Sequence, residues 1–203
     1  MSSLKEKTAK GLFWGGMNNM VQQIVGLAFG IVLGRLLSPY DYGMMAMISV
    51  FSLVATALQD SGFKVALTNQ EKPTDADYNS VFWFNIIMGL AMYAMLFAAA
   101  PLIAHYYNTP KVVPLCRLAF LSIVIASLGT AQSAWLFKNL RAKQQAKASM
   151  AAVLVSSCVG AGMAFAGMAY WSLATQGLVY VGLNTLLQWH YSPWRPSLHG
   201  ITF

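Results

Sequence analysis

Acidic residues number six in 203, and charged residues of either sign make up only 9% of the chain. A soluble domain carries about 25%, so the polar surface that a water-soluble fold needs is missing. Hydrophobic residues reach 57%, and the mean hydropathy is +0.54. Cysteine is nearly absent. Cys116 and Cys158 both fall in apolar stretches without CxxC spacing, which points to structural thiols rather than a redox or metal pair. His105, His190 and His199 have no spacing that suits a shared metal. Neither a G-x-x-x-x-G-K-[ST] nucleotide loop nor an H-E-x-x-H helix occurs. No cofactor, metal or enzyme chemistry is therefore expected, and any transport must run on a gradient or on substrate handled by other machinery. The net charge of +7 raises nucleic acid as a partner, but that needs a basic face on a folded domain. Here the charges sit in short clusters between long apolar runs.

Those runs define the fold class. No charged residue occurs from Gly11 to Gly34, Tyr42 to Gln59, Tyr78 to Pro110, Leu118 to Phe137, or Ala148 to Trp194. A spanning helix needs about 20 mostly apolar residues. The first four gaps hold one span each, and the last holds two with a turn near Gly167-Met168-Ala169-Tyr170. The expectation is an all-α polytopic membrane protein, a six-transmembrane-helix bundle with helices over 12–34, 42–62, 80–104, 112–136, 146–168 and 170–191 in a single lobe covering 1–203. No strict alternation suggests a transmembrane barrel. Ser38-Pro39-Tyr40-Asp41 and Thr109-Pro110 read as helix starts, and Thr74-Asp75-Ala76-Asp77 reads as a cap rather than an acid/base pair. Pro193 and Pro196 stop the last helix.

Lys and Arg set the orientation. Lys5, Lys7, Lys10, Lys64, Lys72, Lys138, Arg141, Lys143, Lys147 and Arg195 fall on one side, against Arg35, Lys111 and Arg117 on the other. Both termini are expected in the cytoplasm. The first apolar stretch is too long for a signal peptide and lacks a small-residue cleavage site, so it reads as an uncleaved first helix.

Polar residues inside the spans are the candidate functional groups. In helix one, Asn19, Gln23, Gly26, Gly30 and Gly34 share a face, while Phe13, Met17, Met20, Ile24, Leu27 and Ile31 point elsewhere. Interhelical packing and a wet cavity both suit that stripe. In helix six, Gln176, Tyr180, Asn184 and Gln188 recur every four residues, a pattern that suits cavity lining. Arg117 in helix four either reaches the outer interface or attracts a phosphate from a cavity, and Arg35, which also suits an interfacial anchor, joins Asn19, Gln23, Arg117, Gln176, Tyr180, Asn184 and Gln188 as a candidate for substrate binding. Asp60 and Lys64 are placed to pair locally. Ser156, Gly160 and Ala164 form a small-residue packing face.

Several segments in order resemble one family. Ser3-Leu4-Lys5-Glu6-Lys7-Thr8 with Gly11-Leu12-Phe13-Trp14 is similar to the opening of bacterial polysaccharide-transport flippases. Gly34-Arg35-Leu36-Leu37-Ser38-Pro39-Tyr40-Asp41-Tyr42-Gly43 looks like their loop after helix one. The likeness continues through Asp60-Ser61-Gly62-Phe63, Val81-Phe82-Trp83-Phe84-Asn85, Ala100-Pro101-Leu102-Ile103-Ala104, Tyr107-Asn108, Trp171-Ser172-Leu173 and Trp194-Arg195-Pro196-Ser197-Leu198. These are the Wzx-like O-antigen and colanic-acid exporters of the multidrug/oligosaccharidyl-lipid/polysaccharide superfamily.

The resemblance implies two six-helix lobes around a central cationic cavity in the bacterial inner membrane. It implies transfer of an undecaprenyl-diphosphate-linked oligosaccharide between leaflets by alternating access, for lipopolysaccharide or exopolysaccharide synthesis. This chain corresponds to the N-terminal lobe alone, and the C-terminal lobe is expected to be missing. Implied partners are the lipid-linked oligosaccharide, membrane lipid, and a C-terminal lobe, a homodimer mate or the polysaccharide assembly machinery. Two alternatives stay open: a drug/cation antiporter lobe, for which Asp60 is the acid at hand, and a non-transporting assembly subunit. A membrane polymerase or glycosyltransferase would need catalytic groups in sizeable outer loops, and these loops are short.

Overall fold

The computed structural model describes residues 2–59 and 62–197. Among them the chain is helical, without strands: α1 (Ser2–Leu36), α2 (Pro39–Gln59), α3 (Phe63–Asn69), α4 (Asp75–Tyr106), α5 (Val112–Lys138), α6 (Ala142–Phe165) and α7 (Tyr170–Tyr191). The helix ends follow local chemistry. At the start of α2 the Asp41 carboxylate accepts from the Ser38 amide and hydroxyl, both at 2.9 Å. At the start of α4, Thr74 and Asp77 form a reciprocal capping box. Thr109 does not cap α5. Its hydroxyl donates back to the Tyr107 carbonyl, and the helix begins beyond Pro110 with no side-chain cap. The α6–α7 turn falls where glycine marks it, with Gly167 at φ 80° and Ala169 at φ 50°.

Five helices are long and apolar enough to cross a membrane: Leu4–Leu36, Pro39–Leu58, Asp75–Tyr106, Val112–Lys138 and Ala142–Phe165. The expected sixth span, α7, has 22 residues, about 33 Å at 1.5 Å per residue, but its amides and hydroxyls recur so regularly that it is not among these five. Its side chains are half-buried along nearly the whole length, because it lies between α5 and α6. The short α3 is an element that charge gaps do not reveal. Gly62, in the left-handed region at φ 93°, starts it as a separate turn, and the Lys138 ammonium donates to the Thr68 carbonyl at 3.0 Å and also to that of Gln70. The expected Asp60–Lys64 pair lies outside the described residues and side chains.

The helices form a row. α1 packs along α6, with Phe29 reaching over Gly160 towards Gln176 of α7, α6 packs on α7, α7 on α5, and α5 on α4, while α2 lies over α5, α7 and α4. The main core joins Met44 and Ile48 of α2, Met92 and Ile103 of α4, Leu115, Cys116 and Phe120 of α5, and Ala174 of α7. A second cluster gathers Leu67, Tyr78, Phe82 and Trp194 at the other end of α4. Trp194 reaches it because the chain after α7 folds back: the Ser197 amide donates to Asn79 Oδ1 and Trp83 Nε1 donates to the Ser197 carbonyl, both at 3.0 Å. The small face of α6 is structural, as expected, with Ser156, Gly160 and Ala164 all buried.

Candidate functional site

The α7 stripe lies in a groove between α2, α5 and α7. Tyr180, Asn184 and Gln188 line a polar hollow of about 230 Å³ together with Thr56, Gly129, Thr130, Ser133 and Thr185. Tyr180 and Val181 also border an apolar continuation of about 260 Å³ that includes Ser49, Ser52 and Ser122. The two hollows are therefore stretches of one groove running along α7. Its polar end exists because α5 carries no side chain at Gly129. A methyl there would stand 3.1 Å from Thr185 Oγ1 and 3.2 Å from Gln188 Oε1.

No charged side chain lines either stretch. Many of the groove hydroxyls spend their protons on backbone carbonyls. Thr56 donates to Ser52, Ser122 to Ala119, Thr130 to Ala126 and Thr185 across to Ile125. Their oxygens keep lone pairs free to accept. Asn184 Oδ1 is buried with no hydrogen-bond partner among the described residues. A buried amide oxygen left bare is costly, and it is chemistry that a hydroxyl donor would satisfy. The arrangement offers hydrogen-bonding oxygens and amides of the kind that suit neutral, hydroxyl-bearing groups, and no charged side chain among the lining residues balances an anion.

The other expected site residues stand elsewhere. Gln176 packs at the α6 contact, where its Cβ would sit 2.8 Å from a methyl on Gly160. Asn19 and Gln23 are exposed on the side of α1 turned away from α6. The neighbouring amides take the inward-leaning side instead: Asn18 and Gln22 are half-buried and bond to each other at 3.3 Å. No atom lies within 4 Å of a methyl placed on Gly26, Gly30 or Gly34, so the α1 stripe is open within this lobe. Arg35 is exposed in the last turn of α1. Arg117 lies on the far side of α5 from the groove, since Ala126, Thr130 and Ser133 are about half a turn round from it, and its guanidinium sits 4.1 Å over the Phe97 ring. Tyr180, Asn184 and Gln188 of the helix-six stripe thus line one groove, and Gln176, the arginines and the helix-one amides do not join it. The hydroxyls of α2 and α5 had a signal that went unread: Ser49, Ser52 and Thr56 recur every three or four residues, as do Ser122, Ala126, Thr130 and Ser133. Among the described residues no group of His, Cys, Asp or Glu could hold a metal.

Comparison with known proteins places this architecture. The polysaccharide biosynthesis protein family matches residues 32–201. The lipopolysaccharide biosynthesis protein WzxC of Escherichia coli K12 is 25% identical over 203 residues, covering 97% of this chain and 40% of WzxC. The teichuronic acid biosynthesis protein TuaB of Bacillus subtilis 168 is 24% identical, over 69% of this chain and 29% of TuaB. The succinoglycan biosynthesis transport protein ExoT of Rhizobium meliloti 1021 is 26% identical, over 71% of this chain and 29% of ExoT. The chain thus spans less than half the length of the curated relatives it matches. No solved structure matches it. With most of its length matched and five of the described helices apolar enough to span a bilayer, the chain is a multi-pass membrane protein and belongs to the polysaccharide biosynthesis protein family.

Proposed function

We propose that this chain is the N-terminal lobe of a flippase for undecaprenyl-diphosphate-linked oligosaccharides in the bacterial inner membrane, with α7 as its sixth span and both termini cytoplasmic. The observation that carries the reading is the neutral α2/α5/α7 groove, lined by hydroxyl oxygens and by Asn184 and Gln188. Such a surface suits sugar hydroxyls, which both donate and accept, and lets them exchange partners as the head group moves. The diphosphate needs cations that the groove does not hold. Those belong to a surface completed by a second lobe, and the open amide–glycine stripe of α1 suits that contact because small residues let helices approach closely. Alternating access by rocking one lobe against the other follows the general logic of such transporters.

The antiporter alternative needs an acid poised in the groove, and no described acid lines it. Asp41, the buried acid among the described residues, is engaged in capping α2. The test is alanine replacement of Asn184 and Gln188 in a flippase-deleted strain that also expresses a matching C-terminal lobe. Lost surface polysaccharide with normal membrane insertion supports the groove as the sugar path. Unchanged export removes it, and loss of a protein complex with export machinery intact moves the chain to the assembly-subunit reading.

A further inference from the structure

We propose that the α4–α5 groove carrying Arg117 is a binding site for the phosphate of a resident anionic phospholipid, with phosphatidylglycerol as the chemical type. This site is separate from the sugar groove and does not depend on the flippase reading. Arg117 lies five residues into α5, about 7.5 Å along the helix, on the side of the turn that joins α4 to α5. That helix has 27 residues, about 40 Å, against a hydrocarbon thickness of about 30 Å. Arg117 therefore falls near the boundary between head groups and acyl chains.

The surroundings fit a lipid and leave the cation unanswered. The guanidinium lies 4.1 Å over the Phe97 ring, which shields one face, and Tyr93 Oη donates to the Arg117 carbonyl at 3.1 Å, which fixes the register of the two helices. Arg117 Nε is buried with no hydrogen-bond partner among the described residues. No carboxylate balances the charge; the ion pair among the described residues is Lys10–Glu6. One turn from Arg117 towards the helix ends, a hollow of about 380 Å³ opens between Pro101, Ala104, His105, Asn108, Pro110 and Val113. Val113 and Arg117 are four apart on α5, and Phe97, Pro101 and His105 are four apart on α4, so hollow and guanidinium share one groove.

That groove is graded along its length. Asn108 and His105 are exposed at its mouth, where glycerol hydroxyls would sit, and Arg117, half-buried, lies one turn beyond Val113 along α5. Exposed Phe97, with Pro101 and Val113 beside it, gives acyl chains an apolar wall. A single guanidinium balances the single negative charge of a phosphodiester, with charge-assisted hydrogen bonds from nitrogens that are otherwise bare. Facing away from the sugar groove, the site suits a lipid that stays rather than a cargo that crosses.

Native mass spectrometry of the full 203-residue chain, titrated with phosphatidylglycerol and with phosphatidylcholine, tests this. The wild-type chain should retain one phosphatidylglycerol about tenfold more tightly than phosphatidylcholine, whose phosphodiester charge is offset by its own choline cation. Arg117→Gln should remove that preference, Arg117→Lys should keep part of it, and Lys143→Gln should leave it unchanged. Equal retention of the two lipids by wild type, or an unaltered preference in Arg117→Gln, overturns the proposal. If Arg117→Gln does not fold, wild type and Arg117→Lys still decide through their lipid ratios. Displacement of phosphatidylglycerol by undecaprenyl phosphate at lower concentration would give the site to the cargo and overturn it as well.

Discussion

Gly160 is where three helices meet. A methyl on it would stand 2.8 Å from Gln176 Cβ on α7 and 2.8 Å from Phe29 Cζ on α1. The ring end of Phe29 can swing aside, but a Cβ moves only with its backbone, so α6 and α7 would have to separate. Gly160→Ala is expected to destabilise the chain by about 1–3 kcal/mol, the usual cost of overpacking. Gly162 has nothing within 4 Å, so Gly162→Ala should be neutral or slightly stabilising through helix propensity. Thermal unfolding of both variants in one detergent separates them, and similar losses in both would show that the α6–α7 contact is looser than described. Asn184 presents the opposite trade. Its buried Oδ1 lacks a partner among the described residues, and leaving such a group bare costs about 1–3 kcal/mol. Asn184→Leu should therefore keep or raise the melting temperature while lowering polysaccharide export. A variant that loses both would mark Asn184 as a packing residue.

The helices show what pattern alone can and cannot place. Gaps in charge located α2, α4, α5, α6 and α7 to within a few residues, because excluding charge from lipid is a demand on every residue of a span. Rotation about the helix axis is another matter. Asn18 and Gln22 lean inward while Asn19 and Gln23 turn out, and only contact with α6 decides between two adjacent amide pairs. The hydroxyls of α2 and α5 carry only a weak signal in the sequence because Ser and Thr in a helix so often bond to their own backbone, and Thr56 and Ser122 do so even while lining the groove. The short α3 depends on one lysine at the end of α5. Lys138 donates to the last carbonyls of α3 and of the turn after it, where a cation also suits the helix dipole. Lys138→Met should leave the α4–α5 pair intact and release α3. Hydrogen exchange across Val65–Glu71 should quicken several-fold, while that of Val112–Phe120 stays unchanged. Equal protection in both chains would mean that α3 is held by Leu67 in the apolar cluster instead.

At the scale of the whole molecule, the row of helices leaves α1 at its end, packed along α6, with its amides and glycines open on one side and Leu12, Met20, Ile24 and Leu27 exposed on another. The two faces ask for different surroundings. Leucine and isoleucine are content in lipid, whereas Asn19 and Gln23 need hydrogen-bonding partners that acyl chains lack. Water in a cavity or a polar face of a second lobe would supply them, and the chain's span of 40% of WzxC leaves room for such a lobe in proteins of this kind. Topology and completeness can be read in one strain. After Cys158→Ala, Asn108→Cys on the α4–α5 turn should react with an impermeant maleimide in intact cells. Asn139→Cys on the α5–α6 turn should react only after lysis, because the cluster of Lys138, Arg141, Lys143 and Lys147 predicts a cytoplasmic turn by the positive-inside rule. Reversed labelling would invert the lobe and place the Arg117 groove in the other leaflet. In the same flippase-deleted strain, surface polysaccharide should return only when a matching C-terminal lobe is co-expressed, since one wall cannot close a cavity. Restoration by this chain alone would instead require its α1 faces to meet in a homodimer. Cross-linking of Gly26→Cys between two copies would then be expected, because that residue lies on the open stripe.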